Sequence, residues 1–146
     1  MSKIVVLDYG SSNLRSVAKA LETVASSDQS ITISNQPEDI LCADKVVFPG
    51  QGAIGQCMTH LKEQALDEVI RQCIANKPFL GICLDLQSLM EHSEEDGGVK
   101  GLGILPGKVI RFADNKTDEN GNAYSIFHSK NLCDHLHLHI LLGLLH

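Results

Sequence analysis

Residues 79–87 read Phe-Leu-Gly-Ile-Cys-Leu-Asp-Leu-Gln, an apolar run that meets a Gly-x-Cys sequence and then a helix-forming stretch. This order predicts a buried strand, a sharp turn at Cys83 and a helix from Leu84 to Glu91, the arrangement of a nucleophile elbow. Such a turn holds the Cys83 thiol above the sheet, where the N-terminus of the next helix favours the thiolate. The backbone N–H of Leu84 is then available to stabilise an oxyanion.

Three further apolar runs predict the neighbours of that strand. Residues 3–8, 31–34 and 45–48 are short and rich in β-branched side chains, and segments with helical spacing of apolar residues separate them. One of these helices is predicted at residues 61–74. Alternation of strands and helices favours parallel pairing with right-handed crossovers. The sequence therefore predicts an α/β fold, a mostly parallel sheet with flanking helices.

A second glycine-rich turn follows the strand at 45–48, where residues 49–52 read Pro-Gly-Gln-Gly. The carboxyl ends of parallel strands meet at one edge of a sheet, and ligands bind there. Gly50, Gln51 and Gly52 are therefore expected to lie near Cys83. A lone cysteine is more often a buried structural thiol, but the elbow and this second turn favour a functional interpretation. The structural interpretation is kept for the remaining cysteines, Cys42, Cys57, Cys73 and Cys133.

Composition excludes several classes of function. The chain has 43% hydrophobic and 21% charged residues and a formal net charge of −6, so we expect neither a nucleic-acid partner nor a membrane surface. The N-terminal sequence has no signal-peptide pattern, and the five cysteines have no CxxC spacing. Reduced thiols in the cytoplasm are the simplest expectation.

Four segments together resemble class I glutamine amidotransferases, and among them the HisH-type glutaminase subunits. They are Asp-Tyr-Gly-Ser-Ser-Asn-Leu-Arg-Ser-Val at 8–17, Phe-Pro-Gly-Gln-Gly-Ala at 48–53, Pro-Phe-Leu-Gly-Ile-Cys-Leu-Asp-Leu-Gln at 78–87, and the glycine-rich segment at 101–112 that ends in Arg-Phe. The segments occur in the family's order, and the resemblance covers residues 3–112.

The resemblance implies a flavodoxin-like, three-layer fold and hydrolysis of the side-chain amide of L-glutamine. It also implies that Cys83 is the nucleophile, that the N–H groups of Leu84 and of Gly50, Gln51 and Gly52 stabilise the oxyanion, and that Gln87 lines the substrate pocket. Ammonia would pass to a (β/α)8-barrel partner, a HisF-like cyclase that makes imidazole glycerol phosphate for histidine biosynthesis. No cofactor and no metal are implied.

Two departures from the family pattern lead us to expect impaired activity. The family elbow is Gly-x-Cys-x-Gly, whereas here Asp85 occupies the second glycine position. A side chain there crowds the turn, and a carboxylate near the thiolate would raise the cysteine pKa. The family's catalytic His and Glu, in a Phe-His-Pro-Glu motif, have no counterpart; the nearest string is Phe-His-Ser-Lys at 127–130.

The C-terminal part of the chain differs in character from the rest. A strand, expected to be antiparallel, is predicted at 108–112, and we expect residues 1–112 to form a partial amidotransferase domain that is incomplete at its C-terminal side. Residues 113–146 are interpreted as a tail outside the family, frameshifted or disordered. Three histidines, at 135, 137 and 139, alternate with leucine; a metal site is the less favoured interpretation.

Two other functions stay open from the sequence. The chain could be an amidotransferase subunit for another pathway, such as the synthesis of surface polysaccharide sugars. It could instead be an inactive module that docks on a synthase, an alternative that Asp85 and the missing His and Glu favour.

Overall fold

The structure is a computed structural model that describes residues 1–111 and 127–130. A parallel four-stranded sheet forms its centre. Its strands lie in the order β2-β1-β3-β4. Their bounds are β1 Ser2–Leu7, β2 Gln29–Ser34, β3 Lys45–Gly50 and β4 Phe79–Cys83. All three pairings are parallel, which confirms the predicted sheet.

Helices cover both faces of this sheet, as the predicted three-layer fold requires. The side chains of β1 alternate: Ile4 and Val6 pack with α1 residues, whereas Val5 and Leu7 join the larger core on the opposite face. This alternation follows from the two-residue period of a strand. The helices are α1 Leu14–Val24, α2 Pro37–Leu41, α3 Ile54–Glu63, α4 Leu66–Asn76 and α5 Leu84–Ser88. No helix in the described part of the chain is long and apolar enough to cross a membrane.

The single helix predicted at 61–74 is wrong, because two helices meet there. Helix α3 ends at Glu63, α4 begins at Leu66, and Ala65 between them has a left-handed backbone with φ 53°. Gln64 donates a hydrogen bond of 2.8 Å from Nε2 to the carbonyl of Tyr9. This contact ties the break to the turn that follows β1.

The helix predicted from Leu84 to Glu91 is correct only in its first half. It ends at Ser88, and Met90–Ser93 forms strand β5. The backbone N–H groups of Leu102, Gly103 and Ile104 donate to the carbonyls of Ser88, Met90 and Leu89 respectively. These long-range hydrogen bonds override the helical preference of the local sequence.

Strand β5 belongs to a second, mixed sheet with the order β6-β5-β7-β8. Its other strands are β6 Val99–Lys100, β7 Leu105–Arg111 and β8 Phe127–Lys130. Residues 108–111 of the strand predicted at 108–112 belong to β7, and residue 112 lies outside the described residues. Strand β7 pairs antiparallel with β8 but parallel with β5. Of the predicted tail, only β8 falls within the described residues; the histidines at 135, 137 and 139 lie outside them.

Candidate active site

The sharp turn predicted at Cys83 joins β4 directly to α5. Cys83 is the last residue of the strand, and Leu84 begins the helix. Cys83 has φ 58° and ψ −118°, a conformation that residues with a Cβ rarely adopt. Strain of this kind persists where the surrounding structure enforces it, often at functional sites. The turn exposes the Cys83 side chain at the carboxyl end of the sheet.

Gly81 explains why the Gly-x-Cys sequence produces so tight a turn. A Cβ at this position would approach the Cα of Leu86 to 3.1 Å. Helix α5 therefore packs directly on the backbone of β4, and Leu84 is buried beneath the turn. The absence of a side chain at position 81 thus allows the helix to begin immediately after Cys83.

The loop Gly50–Gly52 lies beside Cys83, as the two glycine-rich turns predicted. Gly50 ends β3 and is the register partner of Cys83 in the parallel sheet. The side-chain amide of Gln51 donates to Ser12 Oγ, which ties the loop to the turn after β1. The cleft at this point has a volume of about 170 Å³ and is lined by Ser12, Asn13, Val17, Pro49, Gly50, Gln51, Ile82 and Cys83.

Three predicted site residues, Gly52, Leu84 and Gln87, do not line that cleft. Gly52 faces a neighbouring cavity of about 420 Å³, whose wall includes Tyr9, Cys57 and His60, and Gln51 borders both spaces. Gln87 is half-buried on α5, one helical turn after Cys83. The structure therefore brings Cys83, Gly50 and Gln51 together, while the assigned roles of Gly52, Gln87 and the Leu84 N–H stay predictions.

Asp85 points into the interior of the protein. It is fully buried, and its Oδ1 accepts hydrogen bonds from the Tyr9 hydroxyl at 2.7 Å and from Cys57 Sγ at 3.6 Å. Its second carboxyl oxygen, Oδ2, is buried and has no hydrogen-bond partner. The hydrogen bonds of Asp85 thus lie within the core and do not involve the Cys83 thiol. The effect of Asp85 on the cysteine pKa stays a prediction.

Burial dominates the electrostatics of this group of side chains. It raises the pKa of Asp85 to about 7, although the hydrogen bonds from Tyr9 and Cys57 act in the opposite direction. Burial, together with the nearby Asp85 charge, raises the pKa of Cys57 to about 12. The same two causes raise the pKa of Tyr9. Cys57 and Cys73 are buried, as the structural interpretation of these cysteines predicted, whereas the interpretation of Cys42 as a buried thiol is wrong, because Cys42 is exposed.

Sequence reasoning missed the contacts that Tyr9 and Cys57 make with Asp85. Tyr9 is 76 positions and Cys57 is 28 positions away from Asp85 along the chain. The only sequence signal for these contacts was Asp85 at a position where the family has glycine. It indicated crowding of the turn but did not show which residues contact the carboxyl group. A side chain that replaces a glycine in a packed turn must be accommodated by its surroundings, and here Tyr9 and Cys57 provide that accommodation.

A general base for Cys83 is missing from the described part of the site. Among residues 1–110, whose side chains the structure describes, the histidines are His60 and His92, and neither lines the cleft at Cys83. His60 borders the neighbouring cavity, and His92 lies beside Gly98 in the second sheet. Within the part of the chain whose side chains the structure describes, no group of three or more His, Cys, Asp or Glu side chains is placed to hold a metal ion.

Comparison with known proteins shows the family of the chain. The chain matches the model of the CobB/CobQ-like glutamine amidotransferase domain over residues 11–135. This match extends past residue 112, where the sequence analysis placed the end of the amidotransferase domain. That domain boundary stays a prediction.

Several curated relatives are imidazole glycerol phosphate synthase subunits named HisH. The protein from Methylococcus capsulatus is 48% identical over 128 residues, which is 88% of this chain and 58% of the relative. The protein from Nitrosococcus oceani is 56% identical over 118 residues, 81% of this chain and 56% of the relative. The chain spans a little more than half the length of these relatives. Because the family match covers most of the chain, including strands β3 and β4, the chain belongs to the glutamine amidotransferase family.

Proposed function

We propose that the chain derives from a glutaminase subunit that supplies ammonia from L-glutamine to an imidazole glycerol phosphate synthase, in histidine biosynthesis. The observation that carries the proposal is the strained turn at Cys83, paired in register with Gly50 of the glycine-rich loop. The relatives named HisH support the assignment to this pathway. Its partner would be a barrel-shaped, HisF-like cyclase.

The proposed reaction begins at the Cys83 thiolate. Its sulfur attacks the side-chain carbonyl carbon of glutamine, and the C–O π electrons move to oxygen. The N–H groups of Leu84 and of the Gly50–Gly52 loop would stabilise this oxyanion. The C–N bond then breaks, nitrogen takes up a proton and leaves as ammonia, and a glutamyl thioester remains. Water hydrolyses the thioester to glutamate and restores the thiol.

Proton transfer is the step for which the described residues offer no group. The thiol must lose its proton, and the leaving nitrogen must gain one, so a positioned base is required. Neither His60 nor His92 lines the cleft at Cys83. This observation also favours a second candidate function, an inactive module that docks on a synthase through the same fold.

A chimera tests the proposed function. Residues 1–112 would be joined to the remaining C-terminal part of the Methylococcus capsulatus relative, with Asp85→Gly restoring the family elbow. We expect the chimera, with a synthase partner present, to hydrolyse glutamine at least about 10³-fold faster than its Cys83→Ala variant. Ammonia release measured by a coupled assay is the readout.

The relative itself serves as the positive control for this experiment. A folded chimera that is no more active than its Cys83→Ala variant, beside an active relative, would contradict the glutaminase proposal. That result would leave the docking module as the better function.

A further inference from the structure

The buried carboxyl group of Asp85 connects three separate elements of the fold. It extends from α5 and accepts hydrogen bonds from Tyr9, in the turn after β1, and from Cys57, on α3. The Ser88 hydroxyl donates 2.7 Å to the backbone carbonyl of Asp85, which fixes the first turn of α5. The side chain therefore lies at a junction of elements and not on the surface of a single helix.

The same carboxyl group lies against the glycine-rich loop. A Cβ built on Gly50 would collide with the carboxyl group of Asp85 and with the Tyr9 hydroxyl. Gly50 is the point at which β3 passes into the loop that forms one wall of the Cys83 cleft. The Asp85 carboxyl group therefore packs against the start of this loop, with no room for a side chain between them.

The surroundings of Asp85 are poorly suited to a charged carboxyl group, although the hydrogen bonds from Tyr9 and Cys57 themselves favour the charged form. Two neutral donors reach Oδ1, and Oδ2 has no partner. No cation is among the described residues that contact the carboxyl group; its titratable contacts are Tyr9 from the turn after β1 and Cys57 from α3, while β3 contributes only the backbone of Gly50. An ionised carboxylate at this position is a buried charge without a counter-ion, which is costly.

We propose that Asp85, Tyr9 and Cys57 form a proton-dependent clasp that holds the Gly50–Gly52 loop against the elbow when Asp85 is neutral and releases it when Asp85 ionises. Loss of the proton leaves a buried charge, so movement of the carboxylate toward water becomes favourable. Because Tyr9 and Gly50 pack against it, this movement displaces the loop and opens the wall of the cleft. The clasp depends on the Asp85 side chain and not on glutaminase chemistry.

The pH range in which the clasp responds follows from the two states of Asp85. In the closed form burial raises its pKa to about 7, whereas a released carboxyl group returns to roughly 3.9. Opening therefore becomes more favourable as the pH rises from about 4 to about 7, and the change ends above that range. Between pH 5 and pH 7 the equilibrium constant for opening should rise about 50-fold.

Hydrogen exchange of the loop amides in the full chain tests the clasp. Exchange at residues 50–53 would be measured at pH 5 and pH 7 and corrected for intrinsic chemical exchange. We expect the roughly 50-fold rise in opening in the unaltered chain and no rise in Asp85→Asn, which keeps the shape of the side chain and cannot ionise. Glu68→Gln makes the same change of charge on α4 and should keep the rise.

Several outcomes would overturn the clasp. They are a flat response in the unaltered chain, an equal rise in Asp85→Asn, or opening of the β1 amides to the same extent as the loop amides, since the last would mean that the whole fold opens. If Asp85→Asn does not fold, a carbon-13 titration of the Asp85 carboxyl group in the unaltered chain decides the matter. A midpoint near 7 supports the clasp, and a midpoint near the ordinary value of about 4 contradicts it.

Discussion

Glutamine hydrolysis by the 146-residue chain, measured with a synthase partner, should be at least about 10⁴-fold slower than that of a full-length relative. The turn presents Cys83, but neither His60 nor His92 lines its cleft, and the sequence has no Phe-His-Pro-Glu motif. Loss of a positioned base costs about 10²–10⁴ in rate, and disabling a catalytic unit as a whole can cost about 10⁶. Ammonia release over hours at saturating glutamine is the measurement.

The control for this experiment is Cys83→Ala in the same chain. Any residual activity that survives this substitution does not come from the elbow. Turnover within about tenfold of the relative would contradict the prediction, because it would require that another residue supplies the base.

Gly50→Ala should lower the free energy of unfolding by about 3 kcal/mol, the upper part of the range for overpacking a core. The added methyl group meets the Asp85 carboxyl group and the Tyr9 hydroxyl, and both groups are held in place by burial and by their mutual hydrogen bond. Neither can withdraw without leaving a buried polar atom unpaired. Urea unfolding, followed through its midpoint, measures the loss.

A double-mutant cycle shows whether Asp85 is the cause of that loss. In an Asp85→Gly background the carboxyl group is gone, so the cost of Gly50→Ala should fall to about 1 kcal/mol, which gives a coupling energy of about 2 kcal/mol. Gly55→Ala is the matched control, since a Cβ there lies 3.6 Å from its nearest neighbour. In helix α3 this substitution should stabilise by about 0.5–1 kcal/mol. Additive losses at Gly50 and Asp85 would show that the two residues are not in contact.

Local patterns were sufficient to predict the parallel sheet and the turn at Cys83. The β-branched runs predicted the strands, and the Gly-x-Cys sequence predicted the turn. The turn forms because Gly81 allows α5 to pack on the backbone of β4. The closeness of Gly50 and Cys83 followed from the rule that parallel strands end at one edge. These features depend on residues near one another in the sequence or on the topology of the fold class.

The features that the sequence did not predict depend on contacts between distant residues. Met90–Ser93 forms a strand because the carbonyls of residues 88–90 accept hydrogen bonds from the N–H groups of residues 102–104. No proline or glycine in the sequence indicates the break between α3 and α4 at Ala65. The contact of Gln64 with Tyr9 joins residues that are distant in the sequence. The partners of Asp85 lie on other elements, and only the folded chain shows that its carboxyl group faces the core.

The central claim is that Cys83 lies at an elbow whose backbone N–H groups stabilise an oxyanion, and labelling kinetics test it most directly. The chain would be treated with iodoacetamide, whose reaction needs no oxyanion, and with a chloroketone analogue of L-glutamine, whose carbonyl is attacked. Mass spectrometry would follow Cys83 and Cys42, the two exposed cysteines among the described residues. The ratio of chloroketone to iodoacetamide rates should be about 10²-fold higher at Cys83 than at Cys42, the size of effect that oxyanion donors have. Equal ratios at the two cysteines would contradict the claim.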